Sequence, residues 1–337
     1  MVSIITPSFN SEKYIQETYE SILCQTDTDW EWIIVDDRST DSTIKILEGY
    51  GYANNKIKYY TREKLPKGAT TCRNIAIEKC SGEYLLFLDT DDVLASFCIE
   101  QRVNEIKKNP QYDFIVFQML LFNEKLDDSR LLWNIEDGRD DLERAIRFNP
   151  VMAGSSTLWR KESFTKIGLW DDKILINQDI ELHIRSIANG LKYLLKLNLP
   201  PDIFVRNHQQ SISRAKKKSL DKQLSRAYYF EKITAELEKN NLLQKYQPAL
   251  HWLFLKLFFD LLFDKEPAVA AKLFDAGKNK ISLSQKHKTI CSILLAMGKM
   301  SKPAIAFIRF VNRRVLTKSS NNNQTLGKLL YDKEIRY

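Results

Sequence analysis

The chain has 337 residues, 44% of them hydrophobic and 28% charged, which is ordinary globular usage and excludes a wholly disordered or fibrous protein. Lys and Arg number 51 against 43 Asp and Glu, and the net charge of +8 suits an anionic partner, whether nucleotide, nucleic acid or acidic membrane, without choosing among them. The five cysteines are odd in number and lack CxxC spacing, so neither a disulfide framework nor a zinc knuckle is indicated.

Residues 1–10 carry no basic leader and only a short apolar run, which predicts a first strand over 2–6 and not a signal peptide. Between 12 and 25, Tyr14, Ile15, Thr18, Ile22 and Leu23 fall at helical spacing. A second strand over 30–35 runs into Asp36-Asp37-Arg38-Ser39-Thr40-Asp41, loop and N-cap residues that precede the periodic Ile44, Ile46 and Leu47. A strand over 57–60, a helix over 69–79 and a fully apolar strand over 84–88 continue the alternation. Such alternation predicts an α/β fold with its ligand beyond the carboxyl ends of the strands.

A further strand over 114–122 precedes a loop-rich stretch to about 152 and helices around 161–167 and 179–188. Beyond 213 the pattern changes to long helical segments over 219–239, 248–263, 267–278 and 286–314, then a polar linker over 318–324. The greasy stretch 250–263 is interrupted by Lys256 and Asp260 and is too short to cross a bilayer, which needs roughly 20 apolar residues.

The sharpest chemical signal is Phe87-Leu88-Asp89-Thr90-Asp91-Asp92, three carboxylates at the end of an apolar strand. Clustered acids repel unless something neutralises them, and a hard cation such as Mn²⁺ or Mg²⁺ takes oxygen ligands and can bridge them to a diphosphate. Read alone, such acids also serve as caps for a following helix. Asp36-Asp37 ends another apolar strand and offers acceptors for a base or ribose. Two strand-end acidic loops in one α/β unit converge on a common crevice.

These segments, namely 2–10, Val35-Asp36-Asp37-Arg38-Ser39-Thr40-Asp41, Lys67-Gly68-Ala69 with Arg73-Asn74, and Leu88-Asp89-Thr90-Asp91-Asp92, together resemble the inverting family 2 glycosyltransferases of GT-A fold, of the bacterial surface-polysaccharide type. The resemblance spans roughly residues 1–215 and implies a Rossmann-like mixed sheet flanked by helices. Its nucleotide-sugar half would run to about 115 and its acceptor half over 116–215, with a helical region over 216–337 as an appendage. It implies that Pro7, Phe9 and Asp37 hold the base and ribose with Asp36 beside them. Asp89 would then face the ribose, Asp91 bind the metal and Arg73 approach the diphosphate or sugar. Asn177-Gln178-Asp179 resembles the family's acidic pair before a helix, which makes Asp179 the general base, with Gln178 replacing the frequent glutamate. Residues 206–213 resemble the segment that closes over the diphosphate, which makes His208 a metal or phosphate ligand.

The expected reaction moves a sugar with inversion from a nucleotide diphosphate sugar, with uridine as the preferred base, to a hydroxyl of a glycan or lipid-linked acceptor. A divalent cation, Mn²⁺ or Mg²⁺, is the expected cofactor. The alternatives are an inactive nucleotide-sugar-binding protein and a metal-dependent nucleotidyltransferase, although residues 6–10 lack the glycines of a phosphate loop. His183, Trp159 and Trp170 read as packing residues. No nucleic-acid module is recognisable. The expected location is cytoplasmic; the basic clusters at 214–218 and 313–314 beside amphipathic stretches suit either peripheral contact at the inner face of the plasma membrane or solvated helix faces packing on one another.

Overall fold

A computed structural model of the chain describes residues 1–207 and 219–296. The N-terminal half opens with β1 (Val2–Ser8), α1 (Ile15–Leu23), β2 (Trp30–Asp36), α2 (Thr43–Ala53), β3 (Ile57–Thr61), α3 (Ala69–Lys79) and β4 (Tyr84–Phe87). These four strands pair in parallel in the order β4-β1-β2-β3. Strands that are apolar throughout are what a parallel sheet covered on both faces requires. The two faces follow the pleat: Val2, Ile4, Trp32, Ile34 and Leu86 join one core cluster, and Ile5, Ile33, Val35, Leu85 and Phe87 another.

The chain continues through β5 (Val93–Leu94), α4 (Cys98–Lys108), β6 (Phe114–Phe117), β7 (Met119–Phe122), β8 (Leu131–Leu132), α5 (Asp141–Ile146), β9 (Thr157–Arg160), α6 (Lys161–Ile167), α7 (Gln178–Ala188), β10 (Tyr193–Lys196) and β11 (Ile203–Arg206). Strand β9 lies antiparallel between β4 and β6, which makes a mixed seven-stranded sheet, β10-β6-β9-β4-β1-β2-β3. Helices α1, α2 and α4 cover one face, and α3, α6 and α7 the other. A second, four-stranded sheet, β5-β11-β7-β8, sits at the end where β4 delivers its acids. The fold is therefore α/β with a GT-A-like mixed sheet, as expected.

Two local expectations differ from the structure. The stretch 114–122 is two strands in two sheets, because Gln118 turns the chain between them. The buried Asn134 amide oxygen accepts from the Met119 N–H at 2.9 Å and from Gln118 Nε2 at 2.8 Å, satisfying polar groups that a continuous ladder would otherwise pair. Within the loop-rich region lies helix α5, whose N-cap Asp140 accepts from the Glu143 N–H at 2.9 Å. The Asp-x-x-Glu spacing was its local signal.

Helices α8 (Leu220–Lys239), α9 (Gln247–Phe263), α10 (Pro267–Gly277) and α11 (Gln285–Ala296) follow. They share one apolar cluster with α5 and α7, in which Leu142, Ile146, Ile180 and Ile184 meet Phe230, Ile233, Leu250 and Leu253. Among the described residues no helix is long and apolar enough to cross a membrane. The expected boundary at 215/216, the basic clusters at 214–218 and 313–314, the linker over 318–324 and the continuation of the last helix past 296 lie outside the described residues.

Candidate active site

At the carboxyl end of β1 the chain turns through Phe9 and Asn10 onto the loop after β2. The register places Ser8 opposite Asp36, and the Asp37 N–H donates to the Ser8 carbonyl at 2.7 Å. Asn10 sits at φ 49, a left-handed conformation that asparagine tolerates; its side chain accepts from the Thr40 N–H at 2.8 Å while its own N–H donates to Ser39 Oγ at 2.8 Å. Asp36 is fully buried, and its carboxylate accepts from the Ser39 N–H at 2.7 Å and from the Ser39 hydroxyl. Asp36 is thereby spent on shaping the loop. Asp37 stands at the loop's start, paired with the buried guanidinium of Arg62. Pro7 lies opposite Val35, one residue before the end of β1, and Phe9 is 52% exposed on the turn that follows.

Beyond β4 the Leu88 N–H still pairs with the Ile5 carbonyl at 3.0 Å, and the chain then bends, with the Asp92 N–H donating to the Asp89 carbonyl at 3.2 Å. Thr18 on α1 ties this bend down: its hydroxyl bonds the carbonyls of Thr90 and Asp92 at 3.0 and 2.8 Å. Ser11 bonds the Thr90 hydroxyl at 2.8 Å, which brings the β1 turn against the acidic loop. Asp92 is buried and accepts from the Arg206 N–H at 3.1 Å. Burial first, then the charges of Asp91 and Asp89, push its carboxyl well above the ordinary range. Asp89 is about half exposed and Asp91 partly so. Two carboxylates with hard oxygen donors at a strand end are chemically suited to a divalent cation. Among the described residues, however, no three His, Cys, Asp or Glu side chains converge into a complete ligand set. His208 lies outside the described residues.

Arg73, on α3, joins the two halves of the site. One guanidinium nitrogen bonds Asp89 at 2.7 Å and another bonds Gln178 Oε1 at 3.2 Å, while the group lies 4.9 Å from the centre of the Trp170 ring. Asn74 beside it clamps the Trp170 backbone twice: its amide nitrogen donates to the Trp170 carbonyl at 2.8 Å, and its oxygen accepts from the Trp170 N–H at 3.0 Å. Asp179 is the second residue of α7, where the helix dipole favours a negative charge, and its carboxylate accepts from the Ile180 N–H at 3.0 Å. Burial pushes the Asp179 carboxyl above its usual range; Arg73 and the Ile180 N–H oppose that, and Asp89 adds to it. A carboxyl with a raised pKa is a stronger base.

The structure thus brings Arg73, Asp89, Gln178 and Asp179 into one constellation and seats Asp37 and Phe9 on the adjoining loop. Trp159 and Trp170 are almost wholly buried and pack, and His183 stacks on Trp159 with ring centres 6.0 Å apart. Residue types alone did not reveal the role of Arg206. Its side chain donates to the Asp91 carbonyl at 3.1 Å and to Glu17, and it lies between the rings of Tyr14 and Phe122 at 4.7 and 4.3 Å. Nor did they show what Asn74 holds, although it stands inside a quoted motif.

Comparison with known proteins bears on family and fold. A family model described as "Glycosyl transferase family 2" matches residues 3–168. The UDP-Glc:alpha-D-GlcNAc-diphosphoundecaprenol beta-1,3-glucosyltransferase WfgD of Escherichia coli is 39% identical over 110 residues, 32% of this chain and 42% of that protein. This chain spans less than half the length of the curated relatives that head the match. Among solved structures, Staphylococcus aureus TarS 1–349 in complex with UDP superposes with a TM-score of 0.61 at 17% identity, covering 93% of this chain and 91% of that one. The mannosyltransferase PcManGT of Pyrobaculum calidifontis, in complex with GDP-Man and Mn²⁺, gives 0.52 at 17% identity and covers 95% and 85%. At such identities the structural likeness speaks for the fold.

Proposed function

We propose that this chain, which belongs to the family 2 glycosyl transferases, moves a hexose from a nucleotide diphosphate sugar to a hydroxyl of a glycan or lipid-linked acceptor in polysaccharide biosynthesis, with inversion at the anomeric carbon. A uridine diphosphate sugar is the favoured donor, in keeping with the donor printed in the name of the Escherichia coli relative and with the UDP bound in TarS. The observation that carries the reading is the single constellation in which Arg73 bridges the strand-end Asp89 to the helix that bears Asp179.

In this reading Phe9 and Asp37 border the nucleoside, with Pro7 and Asp36 shaping the loop that presents them. Arg73 and Asp89 lie at the sugar and ribose. Asp91, with His208 in the segment after β11, would hold the divalent cation; when bound, it neutralises charge on the departing diphosphate. Asp179 takes the proton from the acceptor hydroxyl while that oxygen attacks the anomeric carbon and the nucleoside diphosphate leaves from the opposite face. The buried setting of Asp179 raises its basicity toward working pH. The protein's main contribution is to hold donor and acceptor in line. Contact with an acidic membrane surface would suit a lipid-linked acceptor and the surplus of cationic residues.

The test is release of nucleoside diphosphate from a panel of nucleotide sugars, with and without Mn²⁺ or Mg²⁺, for the intact chain, Asp91→Ala and Asp179→Asn. Cleavage of one donor only in the presence of metal is expected. Asp91→Ala should abolish it, and Asp179→Asn should slow it on the order of 10²- to 10⁴-fold. Failure to bind or cleave any donor would favour a binding protein without catalysis, and metal-independent cleavage would remove Asp91 from its assigned role.

A further inference from the structure

Helix α8 lies beyond the segment that the family model matches, yet one face of it reaches the stretch that carries Asp179. Ser225, Tyr228 and Lys232 recur at positions i, i+3 and i+7 of the helix. Ser225 Oγ accepts from the Leu175 N–H at 2.8 Å, the Tyr228 hydroxyl donates to Asp171 Oδ2 at 3.0 Å, and Lys232 Nζ donates to the same Asp171 oxygen. The Lys232 ammonium also stands 3.3 Å from Glu181 Oε1. Asp179 is therefore bracketed in sequence by contacts to α8 at 171 and 175 before it and at 181 after it.

These contacts are largely shielded from water: the side chains of Lys232, Asp171 and Glu181 are 19%, 12% and 1% exposed. Glu181 passes the link on to Arg185 at 2.8 Å, and Arg185 donates to the carbonyls of Ile167 and Leu169 at 2.6 and 2.7 Å, just before Trp170. The opposite side of the loop is held by Asn74 and Arg73 on α3. Removing the Lys232 cation leaves the shielded Asp171 carboxylate without its counter-ion and Glu181 with Arg185 alone, which is unfavourable unless the stretch around Asp171 opens to hydrate it.

We infer that α8 is part of the catalytic apparatus, with Lys232, Tyr228 and Ser225 acting as positioning residues that fix the depth and aim of Asp179. The inference rests on the reading of Asp179 as the base. The groups around Asp179 include Arg73 from α3, Asp89 after β4, the Ile180 N–H and the buried His183 of its own helix, and Tyr229 of α8, whose buried hydroxyl feels the charges of Glu181 and Asp179. Opening of the loop over 171–177 and the first turn of α7 would admit water to this group and relax the Asp179 carboxyl toward its ordinary value.

The experiment uses the full-length chain as Lys232→Met, Lys232→Arg, Tyr228→Phe and Ser225→Ala. Backbone hydrogen exchange over 175–181 is followed by mass spectrometry. The Asp179 carboxyl is titrated by ¹³C NMR, its signal identified with Asp179→Asn. Lys232→Met should speed exchange over 175–181 by about tenfold or more and lower the Asp179 titration midpoint, and Lys232→Arg should restore both. Tyr228→Phe and Ser225→Ala should move both readouts the same way by less, and they decide the matter if Lys232→Met does not fold. Folded variants with wild-type exchange and wild-type Asp179 titration, and only a lower Tm, would overturn the inference. Retention of metal-dependent donor cleavage by Asp179→Asn would instead sink the reading of Asp179 as base, whatever the exchange shows.

Discussion

Glu31 illustrates how a buried charge is made tolerable one hydrogen bond at a time. Burial alone would raise its carboxyl, but donors from the Ser81 N–H, Ser3, Lys58 and the Ser81 hydroxyl hold it at about 2 against 4.5. A carboxyl depressed in the folded state contributes stability that is complete above 4.5 and is lost as pH falls toward 2. Glu31→Gln should cost about 2–3 kcal/mol in urea unfolding at neutral pH, and the deficit should shrink in acid. A deficit independent of pH would refute this account. His183 adds acid sensitivity by the opposite route. Burial lowers its imidazole from 6.5 to about 3, so between those values the unfolded chain binds a proton that the folded chain refuses, and stability falls as pH falls. His183→Phe, which keeps the stack on Trp159, should flatten the pH dependence of Tm across that window.

At the scale of elements, the question is what holds the second sheet against the first. Arg102 on α4 and Asp202 before β11 are both fully buried and meet through two bonds of 2.8 and 2.6 Å. Arg102 also donates to the Ser155 carbonyl at 2.8 Å and lies 4.8 Å from the Phe117 ring, and the Asp202 carbonyl accepts from the Ala95 N–H at 2.9 Å. Four segments thus meet at one ion pair, next to the point where β6 gives way to β7. Arg102→Met should cost about 3–5 kcal/mol, because it strands the Asp202 charge in the core. The double variant with Asp202→Leu should recover part of that loss in denaturant titrations. If the double variant is as unstable as the sum of the two single variants, the pair is not coupled in this way.

The whole molecule is organised around α7, which serves two cores. Leu182 faces the main sheet, while Ile180 and Ile184 face the C-terminal helices, where α9 buries Leu250, Leu253, Phe254, Leu257 and Phe258. Each such side chain contributes roughly 1.5–3 kcal/mol when withdrawn from water. A chain ended after Asn207 would expose that surface of α5 and α7 and lose the α8 contacts to the Asp179 loop. Truncation there should therefore yield an aggregating or loosely packed product, visible as lost near-UV circular dichroism. A soluble, cooperatively unfolding fragment would show the helical region to be dispensable for folding.

Much of this was legible in the sequence because the relevant signals are local. Apolar runs ending in Asp36-Asp37 and Asp89-Thr90-Asp91-Asp92 determine buried parallel strands with acids at their carboxyl ends, and period 3.6 determines the helices between them. The position of Asp179 at the start of a helix was readable in the same way. What the tertiary structure alone decided are the contacts between residues far apart in the chain. Examples are Arg73 with Gln178, 105 positions away, and Lys232 with Asp171, 61 away. Arg206 with Glu17 is another, 189 apart. An isolated arginine or lysine in a sequence is equally compatible with a solvated helix face, and only the packing of sheet against helices determines which carboxylate it meets and whether water is present when it does. The division of 114–122 between two sheets has the same cause, since the Asn134 that receives Gln118 stands 16 residues on, just past β8, and only the fold brings the two together.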